Sequence, residues 1–294
     1  MGQRFRVLVV ACSLLSGCAQ LPHSQSNMNN LLLAEPQSSS YKDELMLARL
    51  NEIIAKAGRL EDEQRAVLYF KRGVSHDNLG LSTLARLDFQ QVLALKPDHS
   101  EAHNFMGIYL TQAQQFANAF EEFDSAIELN PEHEFAYLNR GIALYYAGRY
   151  ALAVQDFEQF FSKSPDDPYR MLWLYLAERE VDLASANARL KQHEKHLVKG
   201  QWPYTLIQLF SGDLDESDFT ALLGKGVRNS QELANQLCEA YFYLGKYKQA
   251  EGAYAEAANY FKLALSTNVY SFVEHRYARM ELSQQRVKLS GVAD

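Results

Sequence analysis

Ser100–His133 reads SEAHNFMGIYLTQAQQFANAFEEFDSAIELNPEH, and Glu134–Asp167, following without a gap, reads EFAYLNRGIALYYAGRYALAVQDFEQFFSKSPDD. Laid one over the other, these strings align Gly107 with Gly141, Ala119 with Ala153, Phe123 with Phe157 and Pro131 with Pro165. One step back, Ala66–His99 carries Gly73, Ala85, Phe89 and Pro97 in the same columns. Four columns recurring every 34 residues through three windows mark an array of structural repeats. The spacing has mechanical content. Ala85 and Phe89 are four apart and share one helix face. The glycine lets an antiparallel helix approach, and the phenylalanine fills the space between the two. The proline stops the second helix and turns the chain into the next unit. Each unit is read as two helices, and the body as an all-α stack.

Working outward, a fourth unit is predicted over 238–271, with Tyr241, Gly245, Gly252, Tyr254, Ala257, Phe261 and Ala264, and with Val269 in place of the closing proline. The interval 168–237 holds Trp173, Tyr175, Ala177, Trp202 and Phe210 but lacks the columns. It is read as irregular helical hairpins that continue the superhelix. Ahead of the array, 41–65 contains a helix over Tyr41–Ala57 whose Leu45, Leu47, Leu50, Ile53 and Ile54 are too apolar to stand free. It packs on the first repeat or on a second subunit. After the array, 272–294 holds an amphipathic capping helix with Val273, Tyr277, Met280 and Leu282, since terminal units must shield the ends of a stack.

The two-helix, 34-residue unit resembles the tetratricopeptide repeat, which implies an α-solenoid with extra N- and C-terminal helices. In that family the first helix of each unit lines a concave groove. The corresponding side chains include Asn78 in unit one (66–99), Asn104, Thr111 and Gln112 in unit two (100–133), and Tyr145 and Tyr146 in unit three (134–167). In the fourth unit they are Glu239, Phe242, Lys246, Gln249 and Ala250. Amide side chains can pair with the backbone of an extended peptide. Tyrosine supplies flat area and a hydroxyl. Asn78, Asn104, Thr111, Gln112, Tyr145 and Tyr146 are therefore the expected partner-binding groove. Val67 and Glu101 do not supply the cationic clamp with which some such arrays hold a terminal carboxylate.

The first 17 residues read as an export signal: Arg4 and Arg6, then an apolar core from Val7 to Leu15, then small residues. Leu15-Ser16-Gly17-Cys18 resembles the lipobox of bacterial lipoproteins. This implies cleavage before Cys18, a diacylglycerol thioether on its sulfur and an acyl chain on its amine, enough for stable anchoring. Ala19 follows rather than Asp, which by the same resemblance implies the inner leaflet of the outer membrane, with the body in the periplasm. Residues 18–40, rich in Gln, Asn and Ser, are expected to form a flexible tether. With Cys12 lost and Cys18 acylated, Cys238 is the one remaining thiol of three, and no internal disulfide is expected.

The 294 residues carry 29 basic and 36 acidic side chains, a net charge of −7, which disfavours nucleic acid as a partner. No G-x-S-x-G elbow, P-loop or H-E-x-x-H pattern occurs. His193 and His196 are three apart rather than four, so a solvated helix face is expected there, with no metal and no cofactor beyond the lipid on Cys18.

Outside the repeat columns, several strings resemble the NlpI family of enterobacterial lipoproteins. They include Glu44-Leu45-Met46-Leu47-Ala48-Arg49, Leu138-Asn139-Arg140-Gly141-Ile142-Ala143-Leu144-Tyr145-Tyr146, Leu172-Trp173-Leu174-Tyr175-Leu176-Ala177-Glu178 and Phe272-Val273-Glu274-His275-Arg276-Tyr277-Ala278. That resemblance implies a homodimeric, non-catalytic adaptor. Its implied partners are a periplasmic tail-specific protease, peptidoglycan endopeptidases and other murein enzymes, in cell-wall turnover and cell division. Two other readings differ in class. One is a scaffold for outer-membrane protein assembly. The other is a wall-active enzyme with Asp213, Asp215, Glu216 and Asp218 working near His193 and His196.

Overall fold

In each of the four units, one phenylalanine ring lies flat against one glycine. A Cβ added to Gly73 would come within 2.9 Å of the Phe89 ring, one on Gly107 within 2.6 Å of Phe123, on Gly141 within 2.7 Å of Phe157 and on Gly245 within 2.5 Å of Phe261. The two columns are thus a single contact repeated four times, and no larger residue fits in the first without moving the ring. Ala85, Ala119, Ala153 and Ala257, one turn before each phenylalanine, are fully buried with it.

The computed structural model describes residues 31–38, 40–56 and 60–290. The signal sequence and the expected lipidation site Cys18 lie outside these residues. Fourteen α-helices, and no strands, occur among the described residues. α1 (Tyr41–Lys56) precedes three regular pairs: α2 (Asp62–Asn78) with α3 (Ser82–Leu95), α4 (Ser100–Gln112) with α5 (Phe116–Leu129), and α6 (Glu134–Tyr146) with α7 (Tyr150–Ser162). The irregular stretch holds α8 (Pro168–Val181), α9 (Leu183–His193), α10 (Trp202–Ser211) and the single-turn-scale α11 (Glu216–Ala221). The last pair is α12 (Ser230–Ala250) with α13 (Tyr254–Ser266), and α14 (Val273–Ser290) follows it.

Local chemistry sets these boundaries. Asp167 caps α8 by accepting from the Tyr169 amide at 2.8 Å, with Pro168 opening the first turn. Asp182 ends α8 and caps α9, accepting from the Ala184 and Ser185 amides. Arg72 grips Asp88, and Arg140 grips Asp156, each through two nitrogens and each across the two helices of one unit. α12 begins at Ser230, capped by Asn229. Its length, 21 residues, exceeds that of any other helix.

Two terminal features depart from expectation. Part of the expected tether is bound to the body: the Gln37 amide donates to Thr267 O at 2.9 Å, and the Gln37 side chain donates to Asn235 at 2.7 Å. The Tyr241 hydroxyl donates to Leu32 O, and Ala34 packs on Ala234, Cys238 and Val269. A backbone hydrogen bond and apolar cover hold this stretch where composition alone suggested a free chain. At the other end, α14 does more than cap α13. It reaches back to the first helices of the early repeats. α1 buries only Leu50 fully and leaves Tyr41, Leu45, Met46 and Ile53 exposed.

Candidate interaction groove

The C-terminal ends of α2, α4, α6 and α12 converge on α14. Arg276 donates to both oxygens of Asp77, which also accepts from the Tyr109 hydroxyl at 2.6 Å. Tyr146 stacks on Tyr277 with centroids 5.3 Å apart, and its hydroxyl donates to Glu281 at 2.8 Å. Lys246 donates to the same Glu281 oxygen at 2.6 Å and to the Tyr145 hydroxyl at 2.9 Å. Glu281 is fully buried and Lys246 nearly so. Burial pulls the lysine pKa down, but Glu281 and Tyr145 outweigh it, so the ammonium is held above its ordinary value and stays charged. Burial pushes the Tyr145 and Tyr146 hydroxyls up, keeping both neutral, Tyr145 as acceptor from Lys246 and Tyr146 as donor to Glu281.

α14 therefore occupies the groove that the repeats create, and two clefts remain beside it. One, of about 330 Å³, is lined by Tyr146, Tyr150, Arg179, Gln249 and Gln284. The other, of about 370 Å³, is lined by Tyr109, Gln112, Gln114, Tyr270 and Arg279. α14 is held by ionic contacts more than by a satisfied polar face. The Tyr277 hydroxyl, one Glu281 oxygen and both Gln285 amide atoms are buried without a partner among the described residues.

The six expected groove residues divide. Gln112 lines one cleft, and Tyr145 and Tyr146 line the other. Asn78 is exposed, 3.4 Å from Asp43 of α1. Asn104 and Thr111 are corrected: both are buried and used within the fold. Asn104 accepts from Asn139 of the next unit at 3.0 Å, and Thr111 donates to Gly107 O one turn back at 2.8 Å. Sequence reasoning named Lys246 only as a groove position of the fourth unit, and missed Arg276 and Glu281. A usable signal existed, because Tyr277, Glu281 and Gln285 fall on one face of a helix read as a simple cap.

Within 168–237, two of the four acids are engaged structurally. Asp215 caps α11 by accepting from the Asp218 amide at 2.8 Å, and Glu216 takes bonds from Lys248 and Tyr260, each at 2.6 Å. His193 lies edge-on to Phe161 at 5.0 Å. No group of three His, Cys, Asp or Glu among the described residues is placed to hold a metal ion. Cys238 is fully buried, and burial pushes its thiol up.

Against known families, the chain matches the tetratricopeptide repeat over residues 70–134 and again over 135–167. The tetratricopeptide fold suits a protein-binding scaffold, and no catalytic family is indicated. Similar solved structures include a tetratricopeptide repeat protein from Parabacteroides merdae, 18% identical over 83% of this chain and 78% of that one, TM-score 0.48. Pseudomonas aeruginosa pilF is 16% identical, over 75% and 99%, at 0.45. YrrB, a tetratricopeptide protein with an unusual peptide-binding site, is 10% identical, over 79% and 97%, at 0.42. All three are too distant for a function to pass from them to this chain.

Proposed function

We propose that this protein is a non-catalytic, lipid-anchored adaptor of the bacterial envelope. It presents peptidoglycan hydrolases to a periplasmic tail-specific protease and so regulates wall turnover and cell division. The observation that carries the reading is the pair of clefts flanking α14. Each offers tyrosine, amide and arginine side chains on a concave, rigid face, which suits extended protein segments rather than a small substrate. The lipobox ending in Cys18 supports anchorage at the inner leaflet of the outer membrane. The exposed apolar residues of α1 supply a face for the homodimer that the NlpI resemblance implies. No helix among the described residues is long and apolar enough to cross a membrane.

The test is a pull-down from solubilised envelopes with the full chain, beside Gln112→Ala and Arg179→Ala. Capture of a tail-specific protease together with murein endopeptidases, one of them lost in one variant, is the expected result. Capture of outer-membrane assembly proteins alone would replace this reading with the assembly scaffold.

A further inference from the structure

Six carboxylates are buried among the described residues: Asp77, Asp88, Asp156, Glu239, Glu274 and Glu281. Four have a cation of this chain beside them: Arg276, Arg72, Arg140 and Lys246 respectively serve Asp77, Asp88, Asp156 and Glu281. Glu239 and Glu274 have none. Glu239 Oε2 accepts from the Tyr169 hydroxyl and from Trp202 Nε1, both at 2.7 Å, and Glu274 accepts from the Tyr243 hydroxyl at 3.1 Å. No described donor reaches Glu239 Oε1. A buried carboxylate without a cation is costly. A fold that pairs the other four leaves this place for something outside the chain.

Glu239 does not sit in a closed core. It lines a cleft of about 630 Å³ bounded by α8, the loop before α10, the loop before α12 and Phe272 at the start of α14. Tyr169, Trp202 and Phe272 bring three aromatic rings to this cleft. Ring faces attract cations, most strongly where water is thin. The rim has its own basic residues, Lys225 and Arg228, but Arg228 is already bound by Glu232 through three contacts, the shortest 2.5 Å. An aromatic wall with a single buried carboxylate fits an ammonium on an aliphatic stem. It does not fit an anion or a broad peptide face.

We propose that this cleft binds an alkylammonium group, carried by a lysine side chain or by a free alkylamine, with the rings of Tyr169, Trp202 and Phe272 around the stem and an N–H on Glu239. The site lies apart from the clefts beside α14, and it stands whether or not the adaptor reading does. Burial and the neighbouring Glu274 push Glu239 up to about 8. The titratable and charged groups facing it are Tyr169 from α8, Glu274 from α14, Glu232 of its own helix, and Lys225 and Arg228 from the preceding loop. At neutral pH the carboxyl is mostly protonated, so an arriving ammonium displaces a proton. Affinity therefore rises about tenfold from pH 7 to pH 9, while the amine itself stays charged below about 10.4.

The experiment is calorimetric titration of the full chain with n-butylamine, Nα-acetyl-lysinamide and, as the uncharged control, n-butanol, alongside quenching of tryptophan fluorescence. The expected result is amine binding with a dissociation constant on the order of millimolar at pH 9. It weakens about tenfold at pH 7 with proton release, and butanol does not bind. Glu239→Gln, which keeps the shape, should lose at least about tenfold of the affinity at pH 9. Tighter binding of the lysine derivative supports a protein as the source, and tighter binding of butylamine supports a free amine. Equal affinity in wild type and Glu239→Gln overturns the proposal. So does amine affinity that is flat between pH 7 and 9, a readout that needs no variant to fold.

Discussion

α12 and α14 come together at two places, seven residues apart on each helix: Lys246 with Glu281, and Glu239 beside Glu274. The first meeting joins opposite charges, fully desolvated, with two tyrosine hydroxyls as further partners. The second brings two carboxyl groups together and leaves them to tyrosine and indole donors. α14 supplies a glutamate at both places, so the difference lies in the side chain that α12 brings. A lysine at the first place closes the contact and fastens α14 in the groove. A glutamate at the second keeps it open as a cleft. One helix pair thus does two jobs along its length.

The largest effect is expected at the fastened end. Lys246→Met leaves Glu281 buried without its cation and should cost about 3–5 kcal/mol in urea unfolding. The double change Lys246→Met with Glu281→Leu should recover most of that loss, because a well-packed apolar pair replaces a buried ion pair at little net cost. A single-variant loss below about 1 kcal/mol would mean that α14 is held by something other than this pair.

At the open end the sign of the pH dependence is the sharper readout. Glu239 titrates at about 8 in the folded chain against an ordinary value of 4.5. The folded protein holds a proton that the unfolded chain has already released. Stability is therefore full below the lower value and falls as pH rises towards the upper one, by at most about 1.4 kcal/mol per pH unit from this group. Glu239→Gln should flatten that slope. Denaturation curves of the two proteins from pH 5 to pH 8 that stay parallel would remove the contrast between the two ends.

The smallest effect is expected from Tyr146→Phe. It takes one hydrogen bond from Glu281 while Lys246 remains, for a loss of about 1 kcal/mol. A loss as large as that of Lys246→Met would show the tyrosine, and not the ion pair, to be the fastening.

Much of this architecture was legible in the sequence, and the reason is locality. Gly107 and Phe123 are 16 residues apart, meet across one turn, and recur in register, so periodicity exposes them. The groove was half legible. Gln112, Tyr145 and Tyr146 line the clefts, whereas Thr111, at the repeat position of Tyr145, is consumed by its own helix, and Asn104, earlier on α4, by a neighbouring unit. Repeat position says which way a side chain points, not what already waits there. The seating of α14 was not legible, because its partners Asp77 and Tyr146 are 199 and 135 residues away from Arg276 and Glu281. Glu239 was legible only as a groove position of the fourth unit; its burial was not, because Glu101 at the matching position in unit two keeps half of its side chain exposed.

Segments on both sides of the array are stitched to distant parts of it, Gln37 to Asn235 across 198 residues and Arg276 to Asp77 across 199. An open stack of repeats can nucleate anywhere and grow by nearest neighbours. Here the helical pairs can form early from local contacts, but closing these two long loops is the slow, entropically expensive part of folding. During synthesis, the seating of α14 must wait for α14 itself to emerge, so the groove is completed only after all the repeats that form it.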